Sequence, residues 1–420
     1  MRFLPILFLF LLFTTVLSGA EVTDVASAVE YNDPLDVNLD IYYNNLSEFF
    51  SLKREYNSQH VLYEGNGGYY STTDSRRVET IEYKGNPDMR FLREINLAAE
   101  IGVYRDLSIS FAIPFVLKDR TAMIYNSAVE GPVWDSSLPR TGFFPYAGNL
   151  NYNHSGVGDI SFGINYAPFN QKRRNNNFSG LLGFDVTFPT ARIATPEGMN
   201  SKDSDGNVIS SGKNGNVGKG LFVFELRTAV SKRYEISEPY GMFTVSLPVP
   251  SSSSIYKNPK YSFKMNSGTE FIPWEQADKN RKVTIRTDIE MLFTTRGNAY
   301  NAVTDARWAA NLTEPGGYNP DDEWDILPRE DGWFQLSGMI KPMFMFVEYV
   351  SFGGYFSVGY RQKHYLTDAR PDEAGYIAGL DDEKYDCTHC SGNTGAEDGG
   401  RLLSESHILL GWGFYLSGHF

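Results

Sequence analysis

The sequence predicts an all-β protein, a transmembrane antiparallel up-and-down β-barrel of about twelve strands with short turns at one end and long loops at the other. Three observations predict it. Segments of roughly ten residues alternate apolar and polar side chains with a period of two, which makes a strand with one apolar and one polar face. The connections between these segments alternate short and long from the first to the last, for which a soluble sandwich has no reason, and in lipid only closure satisfies every backbone group. The composition is 41% hydrophobic and 15% aromatic with 39 Gly, yet mean hydropathy is -0.34. That profile excludes a helical membrane protein and suits a wall whose polar residues fill a lumen and loops.

Taken in order, Met1-Arg2 supplies a positive charge, residues 3–17 are an apolar core, and Ser18-Gly19-Ala20 are small. This is a secretory signal peptide over 1–20, cleaved after Ala20 and set aside from the fold. A spanning anchor is the rival reading, but the run falls short of the ~20 residues it needs. Residues 21–34 read as a short periplasmic lead-in, and 35–420 as the barrel.

The first strand alternates Val37, Leu39, Ile41 and Tyr43 with Asp36, Asn38, Asp40 and Tyr42, and continues into 46–56. A polar loop to about 88 follows. The clearest hairpin pairs 91–103 with 107–117 across Tyr104-Arg105-Asp106; Pro114 interrupts its second strand and requires a bulge or a break in the ladder, since a closed barrel has no edge. After a loop over 122–155, strands occupy 158–166 and 182–188 around a turn at 167–177. A Gly- and Ser-rich loop over 191–219 leads to 222–231, a turn at 235–237, and a strand at 243–247, with a loop from 248. Weaker alternation continues at 265–271 and 283–293 around a turn at 276–280, then a long loop over 297–331, strands at 334–341 and 352–361, and a last loop over 366–402.

The closing stretch, 404–420, puts Ile408, Leu410, Trp412, Phe414, Leu416 and Phe420 on one parity and Gly411, Gly413, Tyr415, Ser417 and His419 on the other. It resembles the last strand of bacterial outer-membrane β-barrels, whose C-terminal aromatic is an address read by the barrel-assembly machinery. The resemblance implies Phe420 as the assembly signal, that machinery and outer-membrane lipid as partners, and a Gram-negative outer membrane as the location. Gly418 stands where the family usually places a further aromatic.

The polar parity holds Glu94, Glu100, Lys118, Asp159, Asp185, Glu225, Arg227, Lys264, Glu270, Arg286, Asp288, Glu290, Lys341 and Arg361, which are expected to line the lumen. Mixed signs allow either an ion-pair network that fills a narrow lumen or a wet wall along which small solutes pass. About twelve strands lie between filled 8-strand barrels and open 16-strand porins. The entry SGVGDISFGINYAPF, with its Gly156-Val157-Gly158-Asp159 step, resembles the outer-membrane channels of phenol-degradation operons, the MetA-pathway type. That resemblance implies uptake of small, often aromatic or hydrophobic molecules. Read from the residues alone, the two glycines relieve crowding where a loop re-enters the wall, and Asp159 caps or points inward.

Other chemistry is sparse. Gly156-Val157-Gly158-Asp159 is not a phosphate loop, because a strand follows where a helix is required. Cys387 and Cys390 suit a local disulfide in an oxidising compartment; neither a haem attachment nor a zinc site is complete around them. Residues 203–207 look like the start of a calcium loop but lack its Gly and its closing Glu. No cofactor and no metal is therefore expected. A formal net charge of -13 argues against nucleic acid as a partner. Two alternatives to a small-molecule channel remain: a barrel enzyme, protease or lipase, with a rim active site for which His364 beside Asp368 is the one candidate pair, and a plugged structural or adhesive barrel.

Overall fold

The computed structural model describes residues 22–27, 36–50, 52–56, 62–64, 68–70, 77–79, 90–123, 150–171, 177–193, 217–254, 256, 258–276, 281–300, 329–347, 349–366 and 401–420. The signal peptide, Cys387, Cys390, residues 203–207 and Asp368 lie outside them. Twelve strands form the wall: β1 Val37–Phe49, β2 Arg90–Tyr104, β3 Leu107–Met123, β4 Ile160–Phe169, β5 Ser179–Phe188, β6 Leu221–Ser231, β7 Ser237–Pro250, β8 Ser262–Gln276, β9 Arg281–Thr294, β10 Trp333–Val347, β11 Val350–Arg361 and β12 His407–His419. Each pairs antiparallel with its sequence neighbours, and β1 pairs with β12, so the ladder closes. The closing seam carries two reciprocal backbone bonds, Val37 N to Phe420 O at 2.7 Å and Phe420 N to Val37 O at 2.9 Å.

The two faces separate as the alternation requires. Ile41, Leu97, Ile164, Leu226, Ile289, Ile340, Phe356 and Phe414 are exposed on the outside. Aromatic pairs ring that exterior at both ends: Phe162 with Phe188 and Phe263 with Phe293 at the long-loop end, Phe169 with Phe178 and Phe346 with Phe352 at the short-turn end. An apolar outer band between aromatic girdles, on a wall with no edge, is the construction of a membrane-spanning barrel. Phe420 also faces out, and its ring lies over Gly418, where a Cβ would come within 2.8 Å of it. The glycine at that place thus makes room for the terminal ring.

Strand ends run further than the apolar period. β3 continues to Met123, and Leu150–Val157 forms a strand that pairs with its end, inside the stretch expected as a loop. At the long-loop end Leu52–Tyr56, Arg77–Glu79, His364–Tyr365 and Arg401–Ser404 make a small sheet, so 46–56 is two strands rather than one. Polar residues take over there because the chain has left the lipid, and the period loses its apolar half.

Pro114 is accommodated by a break in its neighbour. β3 pairs with β4 as far as Ala112 opposite Ser161, and then with Leu150–Val157 from Phe115 opposite Val157; Gly158 and Asp159 lie between. In an antiparallel strand a residue's N and C=O point to the same side. The Pro114 carbonyl accepts from Gly158 N at 2.8 Å, so the ring nitrogen, which has no hydrogen to donate, faces the gap. The Pro114 ring is close enough that a Cβ on Gly158 would sit 2.7 Å from its Cγ. Gly158→Ala is expected to lower the thermal unfolding midpoint in detergent, at a cost of about 1–3 kcal/mol, and Pro114→Ala in the same chain to recover most of the loss. An unchanged midpoint in the single variant would contradict this packing.

Candidate functional site

The interior is the candidate site, and it has three levels. At the short-turn end, residues 22–27 enter the barrel. Thr23, Val25, Ala26 and Ser27 are each only 2% exposed. Val25 packs against Ala167, Leu181 and Ala229, inward residues of β4, β5 and β6, with Met242 beside them. Thr23 Oγ1 bonds Ser231 Oγ at 2.7 Å, and Ser231 donates to Glu238 Oε1 at 2.7 Å. Ser27 N donates to Asp36 Oδ2 at 2.7 Å, and Ser27 Oγ accepts from the Asp106 N–H in the β2–β3 turn at 3.3 Å. Residues 22–27, within the stretch expected as a short periplasmic lead-in, are seated inside the barrel's mouth. The physical reason is the apolar inward patch of Ala167, Leu181 and Ala229, which would otherwise line a polar lumen.

The middle level contains most of the residues expected to line the lumen. Glu94 Oε1 accepts from Asn44 Nδ2 and Asn96 Nδ2, both at 3.0 Å, and Tyr355 Oη donates to Asn44 Oδ1 at 3.0 Å. Glu100 accepts from Ser108 Oγ and, at 3.4 Å, from Asn165 Nδ2. Arg227 lies 3.6 Å from Asp185 and donates to Asn165 Oδ1 at 2.8 Å; Ser246 donates to Glu225 at 3.0 Å. Arg286 pairs with Asp288 at 2.9 Å, donates to Tyr240 Oη at 2.7 Å and lies over that ring. Asn266 donates to Glu290 at 3.2 Å, and Lys341 sits 4.1 Å above the Tyr415 ring, which stacks on Tyr42. Lys264 stands across the ladder from Thr244, and the buried Glu270 stands between Glu238 and Arg286. Parity reveals these residues; the partners Asn44, Asn165, Tyr240 and Tyr355 share it and carry no charge to attract notice.

Two expected lining residues are placed elsewhere. Arg93 pairs with Lys118 while Glu94 pairs with Val116, so Leu117 is an extra residue in β3 and shifts the register. Beyond that bulge Lys118 sits over Phe91 with the outward Arg93, and Asp119 takes the inward place, bound to Arg90 by two bonds of 3.2 Å. Asp159 lies in the break after Val157, where Oδ1 accepts from Ala191 N at 2.9 Å. It tethers the loop after β5.

The third level, at the long-loop end, is a buried box of charges. Glu48 of β1 accepts from Arg361 and from His407 Nδ1, each at 2.5 Å, and Arg90 approaches its other oxygen at 3.7 Å. Arg361 also donates twice to Gln335 and lies 4.2 Å over the Trp333 ring. Next to it Glu330 accepts from Lys260 Nζ at 2.6 Å and Trp333 Nε1 at 2.8 Å, with His364 Nε2 at 3.4 Å; His364 stacks on His407. Only Arg361 and His364 were visible as candidates in the sequence, because the box gathers side chains as far apart as Glu48 and His407.

Within the box Ser404 Oγ is 2.6 Å from His407 Nε2, and His407 Nδ1 faces Glu48. The order of atoms is that of nucleophile, base and acid. Ser404, however, is 0% exposed and has Leu52 on one side and His364 on the other in the small sheet. A substrate carbonyl has no approach to its hydroxyl, so the geometry is that of a satisfied hydrogen-bond chain.

No protein-family model matches the chain, and no curated protein matches its sequence. Among solved structures, an outer membrane channel from Pseudomonas putida F1 is similar at 12% identity over 96% of this chain and 100% of that one, with a TM-score of 0.40. A Pseudomonas aeruginosa FadL homologue is similar at 10% identity, 92% and 90% coverage and a TM-score of 0.36. The outer membrane protease OmpT from Escherichia coli is similar at 11% identity, 92% and 97% coverage and a TM-score of 0.25.

Burial opposes charge on Glu330, but the hydrogen bond from His364 and the Lys260 ammonium hold its carboxyl well below the usual carboxylate range. Burial also pushes the Lys260 ammonium down, and there it outweighs the attraction of Glu330. A carboxyl depressed in the folded state stabilises the fold above its unfolded value and loses that contribution as pH falls through the folded one. Thermal unfolding in detergent is expected to weaken by several degrees between ~pH 5 and ~pH 3, and Glu330→Gln to flatten that part of the curve. An acid limb of equal slope in the variant would show that Glu330 does not carry it.

Proposed function

We propose that this chain is an outer-membrane channel through which small solutes pass passively along a narrow polar lumen, with residues 22–27 as the closure of its inner mouth. The observation that carries the reading is the wall itself: closed, apolar outside, and inside lined by hydrated-type side chains of both signs beside a separately tethered segment. A wall of lipid-facing residues needs no lumen chemistry, yet this one concentrates its carboxylates, guanidinium groups and tyrosines there. The half-buried rings of Tyr42 and Tyr355 suit small aromatic or hydrophobic solutes, which is the class implied by the resemblance at residues 155–169. Membrane lipid and the assembly machinery, engaged through the strand that ends on Phe420, are the other partners; nucleic acid is not among them. The long-loop end, with its charge box, faces outward from the cell in this orientation.

Seating of Val25 against Ala167, Leu181 and Ala229 is what a conducting state must give up. Val25→Asn puts an amide into that apolar site at roughly 2 kcal/mol, about thirtyfold in the ratio of seated to released segment. Liposome swelling and planar-bilayer current are expected to rise by about that order in the variant. No current and no swelling from either protein would make the barrel a plugged structural element. Hydrolysis by intact cells that His364→Ala or Ser404→Ala abolished would make it an enzyme.

A further inference from the structure

The inward charges are distributed unequally around the lumen, and the inequality bears on which solutes pass. Resting on the channel reading, we infer that the lumen selects cations over anions, with Glu94 as the residue that sets the preference. On the arc from β6 to β10 both signs point inward: Arg227 lies next to Asp185 and Arg286 next to Asp288, and Lys264 and Lys341 share that arc with Glu270 and Glu290. On β1 and β2 the inward charges are Asp40 and Glu94, with Glu100 lower, beside residues 22–27; among the described residues no Lys or Arg of β1 to β3 or β12 points inward at that height, and Lys341 of β10 reaches only as far as the Tyr415 ring of β12. Arg93 and Lys118 are on the outer face, and Arg90 is taken by Asp119 and Glu48 at the long-loop end.

Glu94 is held by amides, with no cation bonded to it among the described residues. Two amides grip its Oε1, and the Tyr355 hydroxyl, by donating to Asn44 Oδ1, turns the Asn44 NH₂ toward it. Its Oε2 takes no hydrogen bond among the described residues. That oxygen is a negative end on the acidic arc, across the barrel from a side that carries both signs. An anion on the path meets repulsion from one side and no compensating excess on the other; a cation meets attraction.

The measurement is the reversal potential in planar bilayers under a KCl gradient, on the full mature chain and on Val25→Asn, each with and without Glu94→Gln. K⁺ is expected to be preferred, and Glu94→Gln to cut the K⁺/Cl⁻ permeability ratio roughly five- to fifteenfold, the effect of one charge about 5 Å from a path in water acting with opposite sign on the two ions. Arg93→Gln, a charge change on the outer face of the same strand, should leave the ratio unchanged. A current without cation preference, or a ratio that Glu94→Gln does not move, overturns the inference and leaves the channel reading in place. Absence of current in both backgrounds removes the channel reading and this inference with it.

Discussion

Closure is the constraint on which the rest of this structure depends. A twelve-strand ladder in lipid has to return its last strand to its first, because an edge would leave a row of N–H and C=O groups with neither water nor partner. The reciprocal bonds between Val37 and Phe420 complete that return. Once the ring is closed, the pleat leaves each side chain two destinations, lipid or lumen. Every later property is a consequence of which residues go where.

The inward destination creates a second problem. Charges in a narrow lumen are costly unless they are paired or wetted, and the chain resolves this differently at each height. At the long-loop end Glu48 and Glu330 gather Arg361, His407, Lys260 and His364 into a dry box that ties β1 to β12 and to the segments before β8 and β10. At mid-height pairing is partial. At the short-turn end the wall turns apolar at Ala167, Leu181 and Ala229, and a piece of the chain itself fills the space.

The wall was legible in the sequence because its signal is local: a period of two survives in each strand, and the apolar row from Leu107 through Phe111 needs no partner to be recognised. The lumen was legible only where the period was unbroken. One extra residue, Leu117, exchanges Lys118 for Asp119, and nothing in the sequence marks it, since Leu117 keeps the apolar parity up to the bulge itself. Pro114 did signal trouble, but the remedy, a break at Gly158 and Asp159, lies in a different strand. The charge box left only Arg361 and His364 readable in the sequence: Glu48 lies beyond the clear alternation of β1, and His407 begins a strand recognised for its apolar face. The seat of residues 22–27 left a trace that is readable in retrospect, three strands whose polar parity turns to Ala or Leu near the same end.

These features bear on how a catalytic constellation would differ from this interior. A catalytic constellation needs an open approach to one strained or activated atom, with its partners held to serve it. Ser404, His407 and Glu48 have the distances but are enclosed by strands, and Glu48 is shared with Arg361 and Arg90 rather than devoted to the imidazole. The middle of the lumen differs: carboxylates, amides and hydroxyls are held there by several partners each, some neutral, as Asn44 and Asn96 are to Glu94, and some charged, as Arg286 is to Asp288. Groups arranged in that way are the ones along which the proposed solute path would run.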